Sequence, residues 1–260
     1  MKNRASFQRI DATAARKLLI RSDIAVLDTR DATSFQNAHI GRARRFTDRD
    51  LFAILTKTPK NTAILIYCYH GRTSQTYAQT FADFGFREVY SLDGGYEGWR
   101  QAETALSALG EALRPWLTEQ GFPPDGINSA ADNGMTALMK ACPLGQAAIA
   151  AALLEAGARL DARNADGNNA LWFACVSGDL DAVALLIDAG IDIDNRNDNG
   201  ATCLMYAAST GKAAIVEKLL AAGADRRPET LDGFTALDMA ATIDCLHLLR
   251  RAERRSRETA

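Results

Sequence analysis

No hydrophobic run in this 260-residue chain is long enough to cross a membrane. A run such as Ala63-Ile64-Leu65-Ile66-Tyr67-Cys68-Tyr69 falls far short of the ~20 apolar residues that a spanning helix needs. The opening residues, Met1 to Phe7, lack the apolar core of a secretory leader. Cysteine is scarce. Five of them, odd in number and scattered, do not make a disulfide framework, and they point to a reducing, cytoplasmic compartment. Charge does not lean to one sign either. Thirty Lys and Arg stand against 32 Asp and Glu, a formal net charge of −2. That balance excludes a uniformly basic nucleic-acid binder and an acidic disordered tail, so neither nucleic acid nor a membrane is expected as a partner. The rest of the composition, 47% apolar and 24% charged, suits a soluble globular protein with room for one large domain or two ordinary ones.

What is present is a repeat. Gly134, Gly167, Gly200 and Gly233 follow one another at intervals of 33 residues. Each sits in an Asx-Gly pair followed by a Leu four positions on, as in Asn133-Gly134-Met135-Thr136-Ala137-Leu138. A second series (Gly145, Gly178, Gly211), a third (Gly157, Gly190, Gly223) and a leucine series (Leu153, Leu186, Leu219) keep the same step. The pattern predicts a tight turn, a short helix, a break, a second helix carrying Ile149, Leu153 and Leu154 on one face, and a glycine stop. One such unit cannot bury its apolar face alone, so the units must stack.

These residues resemble the ankyrin repeat, with Ala or Cys in the family's proline slot and no motif histidine. The resemblance implies full repeats at 131–163, 164–196 and 197–229, and a C-terminal cap at 230–252 that lacks about four residues between its helices. It also implies a linker and degenerate N-terminal capping half-repeat at 104–130, where Trp116 to Gly121 parallels Leu153 to Gly157. Residues 253–260 are expected to be a frayed tail. An array of this kind implies a protein partner. Trp172, Phe173, Met205 and Tyr206 occupy corresponding repeat positions near the face that such arrays use for binding.

Residues 1–103 read differently. Ile24–Leu27, Ala63–Tyr67 and Glu88–Leu92 are short apolar runs that suit buried parallel strands. Helical stretches lie between them. Asp11 can cap Ala12–Ile20, Thr47-Asp48-Arg49-Asp50 forms a capping box before Leu51–Leu55, and Thr73–Phe84 ends at Gly85. Alternating strands and helices predict an α/β domain, a parallel sheet with helices on both faces. The informative stretch runs from Leu65 to Ser74. A buried strand ends at Cys68, a loop follows, and a helix starts near Thr73. Loop amides and a helix N-terminus at a strand's carboxyl end lower a thiol pKa and cradle an anion.

This half resembles the rhodanese family, specifically its small single-domain thiosulfate sulfurtransferases. The likeness covers nearly all of residues 5–101: Val26-Leu27-Asp28-Thr29-Arg30-Asp31, His39-Ile40, the Cys68 loop, and Ser91-Leu92-Asp93-Gly94-Gly95-Tyr96-Glu97-Gly98-Trp99. It departs at Arg42-Ala43-Arg44-Arg45, a more basic rim than many relatives carry. The resemblance implies covalent sulfur transfer, with Cys68 as nucleophile and a persulfide on Cys68 as the intermediate, and no bound cofactor. It implies that Tyr69, His70, Gly71, Arg72, Thr73 and Ser74 bind a small anionic sulfur donor, with Arg72 gripping the oxyanion. Asp28 and Arg30 are expected to tie loops together.

Two other readings compete with this one. Phosphatases and arsenate reductases of this fold place an arginine six positions after the cysteine, where this chain has Ser74, and Arg72 comes only four after. A non-catalytic or sulfur-sensing module in an ankyrin adaptor is the remaining alternative. His39 and His70 share no paired ligand spacing with a cysteine, so no metal is expected; His70 is placed as a pocket-lining residue and His39 as a structural one. Cys142, Cys175, Cys203 and Cys245 fall at small-residue or core positions and are expected to be filler. The net charge also divides. Residues 1–100 hold 16 Lys and Arg against 10 Asp and Glu (+6), and residues 101–260 hold 14 against 22 (−8).

Overall fold

A computed structural model describes residues 6–258, with side chains to residue 254. The chain divides into two compact units, Met1–Ser107 and Ala108–Ala260. The first is built from β1 (Gln8–Ile10), α1 (Ala12–Leu19), β2 (Ile24–Asp28), α2 (Ala32–Asn37), β3 (Arg44–Arg45), α3 (Asp48–Lys57), β4 (Ala63–Tyr67), α4 (Thr73–Asp83), β5 (Val89–Leu92) and the start of α5 (Gly95–Glu119).

The five strands form one parallel sheet in the order β1-β5-β4-β2-β3. Every residue of the central β4 is buried. Its alternate side chains serve two cores. Ala63, Leu65 and Tyr67 pack with Ala12, Ala15 and Trp99 on one face, while Ile64 and Ile66 pack with Leu55, Ala78 and Phe81 on the other. Burial on both faces is why β4 reads as an unbroken apolar run. The helix starts follow local chemistry. Asp11 Oδ1 accepts from Ala14 N–H at 2.8 Å, and the backbone N–H of Thr47 donates to Asp50 at 3.0 Å. Two strands escape the hydrophobic pattern. β1 and β3 are edge strands of three and two residues whose side chains are exposed but for the half-buried Ile10, so no apolar run marks them. β3 is the Arg44-Arg45 rim itself.

The second unit continues with α6 (Ala137–Ala141), α7 (Ala147–Glu155), α8 (Ala170–Ser177), α9 (Leu180–Asp188), α10 (Cys203–Ser209), α11 (Ala213–Ala221) and α12 (Ile243–Glu258). Thr136, Asn169 and Thr202, 33 residues apart, cap the first helix of each repeat by accepting from the N–H of Met139, Trp172 and Met205. Turns are laddered at the same period: Ala165 N–H to Asn133 O, Asp198 N–H to Asp166 O, and Leu231 N–H to Asn199 O. Leu138, Leu171 and Leu204, with Leu153, Leu186 and Leu219, form a continuous buried spine.

Residues 104–119 of the expected linker and capping half-repeat are helix: α5 runs on to Glu119 and buries Leu113 and Leu117, at i and i+4, in the array core. Two expectations for this half are corrected. The first helix of the fourth repeat is missing. Thr235 still accepts from Asp238 N–H at 3.3 Å, but only a turn follows. Cys245 and Leu249 take the places of Ile215 and Leu219 after 30 residues instead of 33, and the shortening consumes that helix. Residues 253–258 of the expected tail continue α12, which Cys245 and Leu249 anchor. Residues 259–260 lie outside the described residues. Among the described residues no helix is long and apolar enough to cross a membrane.

Candidate active site

The site follows from the strand order. After β2 the chain turns to β3, and after β4 it turns the other way, to β5. The carboxyl ends of the neighbours β2 and β4 therefore border the crevice where open α/β sheets take ligands. Asp28-Thr29-Arg30 leaves β2 there, and Cys68 leaves β4.

Cys68 is buried. Its Sγ accepts the Gly71 N–H at 3.1 Å and lies 3.5 Å from Ser74 Oγ. Burial pushes the thiol pKa up. The Ser74 hydroxyl and the amides of Ser74, His70 and Gly71 more than offset this, so the pKa lies below the ordinary thiol value of 9.0. The N-terminus of α4 adds its positive pole. The other four cysteines are equally free and buried but have no such cradle. Burial carries Cys142 up to about 12. Cys203 is raised by its contact with Cys175 and then by burial. They fill the core.

The loop is held from below by a glycine turn. Tyr96 N–H donates to Cys68 O at 2.8 Å, and Glu97 N–H donates to Tyr69 O at 3.1 Å. Gly95 lies so close that a Cβ there would stand 2.4 Å from Cys68 O and 2.6 Å from Gly71 N. Gly71 has φ +78, and its Cβ would meet Leu92 O at 2.8 Å. The Gly94-Gly95 pair matches the resemblance, but its role as the floor under the loop emerges only in three dimensions.

Asp28 and Arg30 form a buried ion pair, Nη2 to Oδ2 2.6 Å, and Arg30 also donates to Ala38 O at 2.7 Å. Burial lowers the Arg30 pKa, but the bonds to Asp28 reverse the shift and leave it raised. The guanidinium lies over the ring of Tyr96 at 3.6 Å and near those of Tyr67 and Tyr69 at 5.6 and 5.8 Å. One buried cation thus gathers the ends of β2 and β4, the Cys68 loop and the start of α5. Tyr67, which burial holds well above the usual phenol range, accepts the Ile40 N–H at 3.1 Å.

The remaining loop residues separate. Ser74 is buried beside the sulfur, while Tyr69, His70, Arg72 and Thr73 are exposed around it. Arg72 stands at the N-cap of α4 with its side chain open to solvent. The Tyr69 hydroxyl turns away from the sulfur to Asp31 and Ser34, at the start of α2. His39 stacks on Phe35, centroids 4.4 Å apart, away from the loop cysteine. Sequence reasoning did not single out Ser34 and gave Asp31 and Ser91 no role, although both fall in stretches that carry the resemblance; Ser91 also stands out as a hydroxyl inside an apolar strand. Trp172 and Tyr206 pack on one another, centroids 5.0 Å apart, and both are half-buried against the array core. Among the described residues no three His, Cys, Asp or Glu side chains are grouped to hold a metal.

The comparisons with known proteins agree with this division. A rhodanese-like domain model matches residues 11–102. Ankyrin-repeat models match residues 105–197 and 186–240. The thiosulfate sulfurtransferase GlpE of Vibrio cholerae is 36% identical over 102 residues, which are 39% of this chain and 96% of that protein. The chain belongs to the rhodanese-like family. The same named enzyme from Tolumonas auensis is 38% identical over 96 residues, 37% of this chain and 91% of the relative. That from Coxiella burnetii is 38% identical over 94 residues, 36% and 88%. The rhodanese-like unit thus spans nearly the whole of these relatives, and the ankyrin repeats lie beyond them.

Proposed function

We propose that the chain is a sulfurtransferase that takes the sulfane sulfur of thiosulfate, or of a persulfide, onto Cys68 and passes it to a thiophilic acceptor. The observation that carries this reading is the Cys68 sulfur at the end of β4, which accepts the Gly71 amide at 3.1 Å and lies 3.5 Å from the Ser74 hydroxyl, with its pKa held below the ordinary thiol value. The Cys68 thiolate attacks the outer sulfur of thiosulfate. A new S–S bond forms as the old one breaks, and its electron pair leaves with sulfite. The amides that favour the thiolate also favour the persulfide anion. Cyanide or a thiolate then attacks the terminal sulfur and returns the electron pair to Cys68, with no net oxidation. Arg72, exposed at the mouth, holds the anionic donor, with Tyr69, His70 and Thr73 around it. Asp28 and Arg30 keep the loop in shape. The ankyrin array, which carries the −8 share of the charge, is the protein-interaction module.

Thiosulfate and cyanide should give thiocyanate, and Cys68→Ser should abolish it. Activity surviving in Cys68→Ser would sink the mechanism.

A further inference from the structure

Ser91 is a fully buried hydroxyl in β5. It pairs in register with Ile66 of β4, and the strand shares its second core face with Val89, Ile64, Ile66 and Phe81. An apolar side chain would fill such a place at no cost, whereas a hydroxyl must find a partner. The partner is Ser74, whose Oγ lies 3.0 Å from Ser91 Oγ; Ser74 in turn lies 3.5 Å from Cys68 Sγ. Three side chains on β5, α4 and the end of β4 make one buried chain that ends on the sulfur.

We infer that Ser91 is a positioning residue for Cys68: by donating to Ser74 Oγ it leaves the Ser74 proton to point at the Cys68 sulfur. The direction follows from counting protons. A hydroxyl has one hydrogen to give and two lone pairs. If Ser74 accepts from Ser91, its own hydrogen is turned toward the remaining acceptor, the thiolate or, during transfer, the persulfide. A neutral thiol that donated to the second Ser74 lone pair would instead leave the Ser74 hydrogen without the sulfur as its acceptor. The chain therefore favours the anion at both stages. The inference rests on the sulfurtransferase reading only for its catalytic consequence; the thiol titration is independent of it.

The test is the pH dependence of Cys68 alkylation by iodoacetamide in the full chain, read at the Cys68 peptide, together with the rate of sulfur transfer from thiosulfate. The charged and titratable groups around the loop are Asp28 at the end of β2, Arg30 and Asp31 after it, Tyr67 at the end of β4, Tyr69, His70 and Arg72 in the loop, Asp93 after β5, and Tyr96 and Glu97 at the start of α5; all are unchanged by the substitution. Ser91→Ala should move the alkylation midpoint toward the ordinary thiol range and slow transfer about threefold to tenfold. Ser91→Thr, which keeps the donor, should restore both. In a Ser74→Ala background, Ser91→Ala should change neither. An unmoved midpoint in Ser91→Ala, including one accompanied by a lower melting temperature, would overturn the inference, as would effects of the two substitutions that add in full. A shifted midpoint in a chain that transfers no sulfur would support the positioning role and count against the sulfurtransferase reading instead.

Discussion

Gly95 has no side chain, yet the Cys68 loop depends on it. It has φ +59, and the place of its missing Cβ is bounded by the carbonyls of Cys68 and Tyr69 and the Gly71 amide, all within 2.6 Å. Gly95→Ala forces the glycine turn and the loop apart. The expected cost is about 2–4 kcal/mol from backbone strain and displaced neighbours, with thiocyanate formation falling further than the folded fraction does. Urea unfolding beside the activity assay checks this, and a stable, fully active Gly95→Ala would contradict the loop floor described here. The comparison of Cys68 with Cys142 makes the same point about surroundings. Both thiols are buried, but one lies under amides and a hydroxyl that favour its anion, while the other donates to the Leu138 carbonyl at 3.2 Å and is pushed up by burial, Asp179 and Cys175. In the sequence Cys68 stood out by its strand–loop–helix setting, and Asp28 and Arg30 by resemblance. The Ser91–Ser74 bond and the Tyr69–Asp31 contact did not stand out, because each depends on segments far apart in the chain that only the sheet order brings together.

Among the elements, legibility followed burial. β2, β4 and β5 announce themselves as apolar runs because the sheet is covered on both sides. β1 and β3 are short exposed edges held by backbone pairing, which leaves no pattern in the side chains. The repeat helices were legible from their period, since each turn, cap and spine leucine recurs after 33 residues. The failure came where the period breaks: the lost first helix of the fourth repeat does not follow it. The spine itself yields a prediction. Leu186 in α9 is fully buried between repeats. Leu186→Ala should cost about 2–5 kcal/mol. Hydrogen exchange should speed up at the amides of α8 to α11 and stay unchanged in β4; equal acceleration in β4 would show that the two units do not keep separate cores.

Taken whole, the chain joins a unit that matches nearly the full length of single rhodanese-like relatives to an array that those relatives lack. As proposed, chemistry belongs to the first unit and partner choice to the second, and the sulfur resides on Cys68 between donor and acceptor. That residence is the central claim. The direct measurement is to incubate the native chain with thiosulfate, remove the excess, and weigh its cysteine peptides by mass spectrometry. The account predicts one added sulfur atom on the Cys68 peptide, none on the peptides of Cys142, Cys175, Cys203 and Cys245, and its loss when cyanide is added with release of thiocyanate. Thiocyanate formed without any sulfur on Cys68, or sulfur carried on another cysteine, would contradict it.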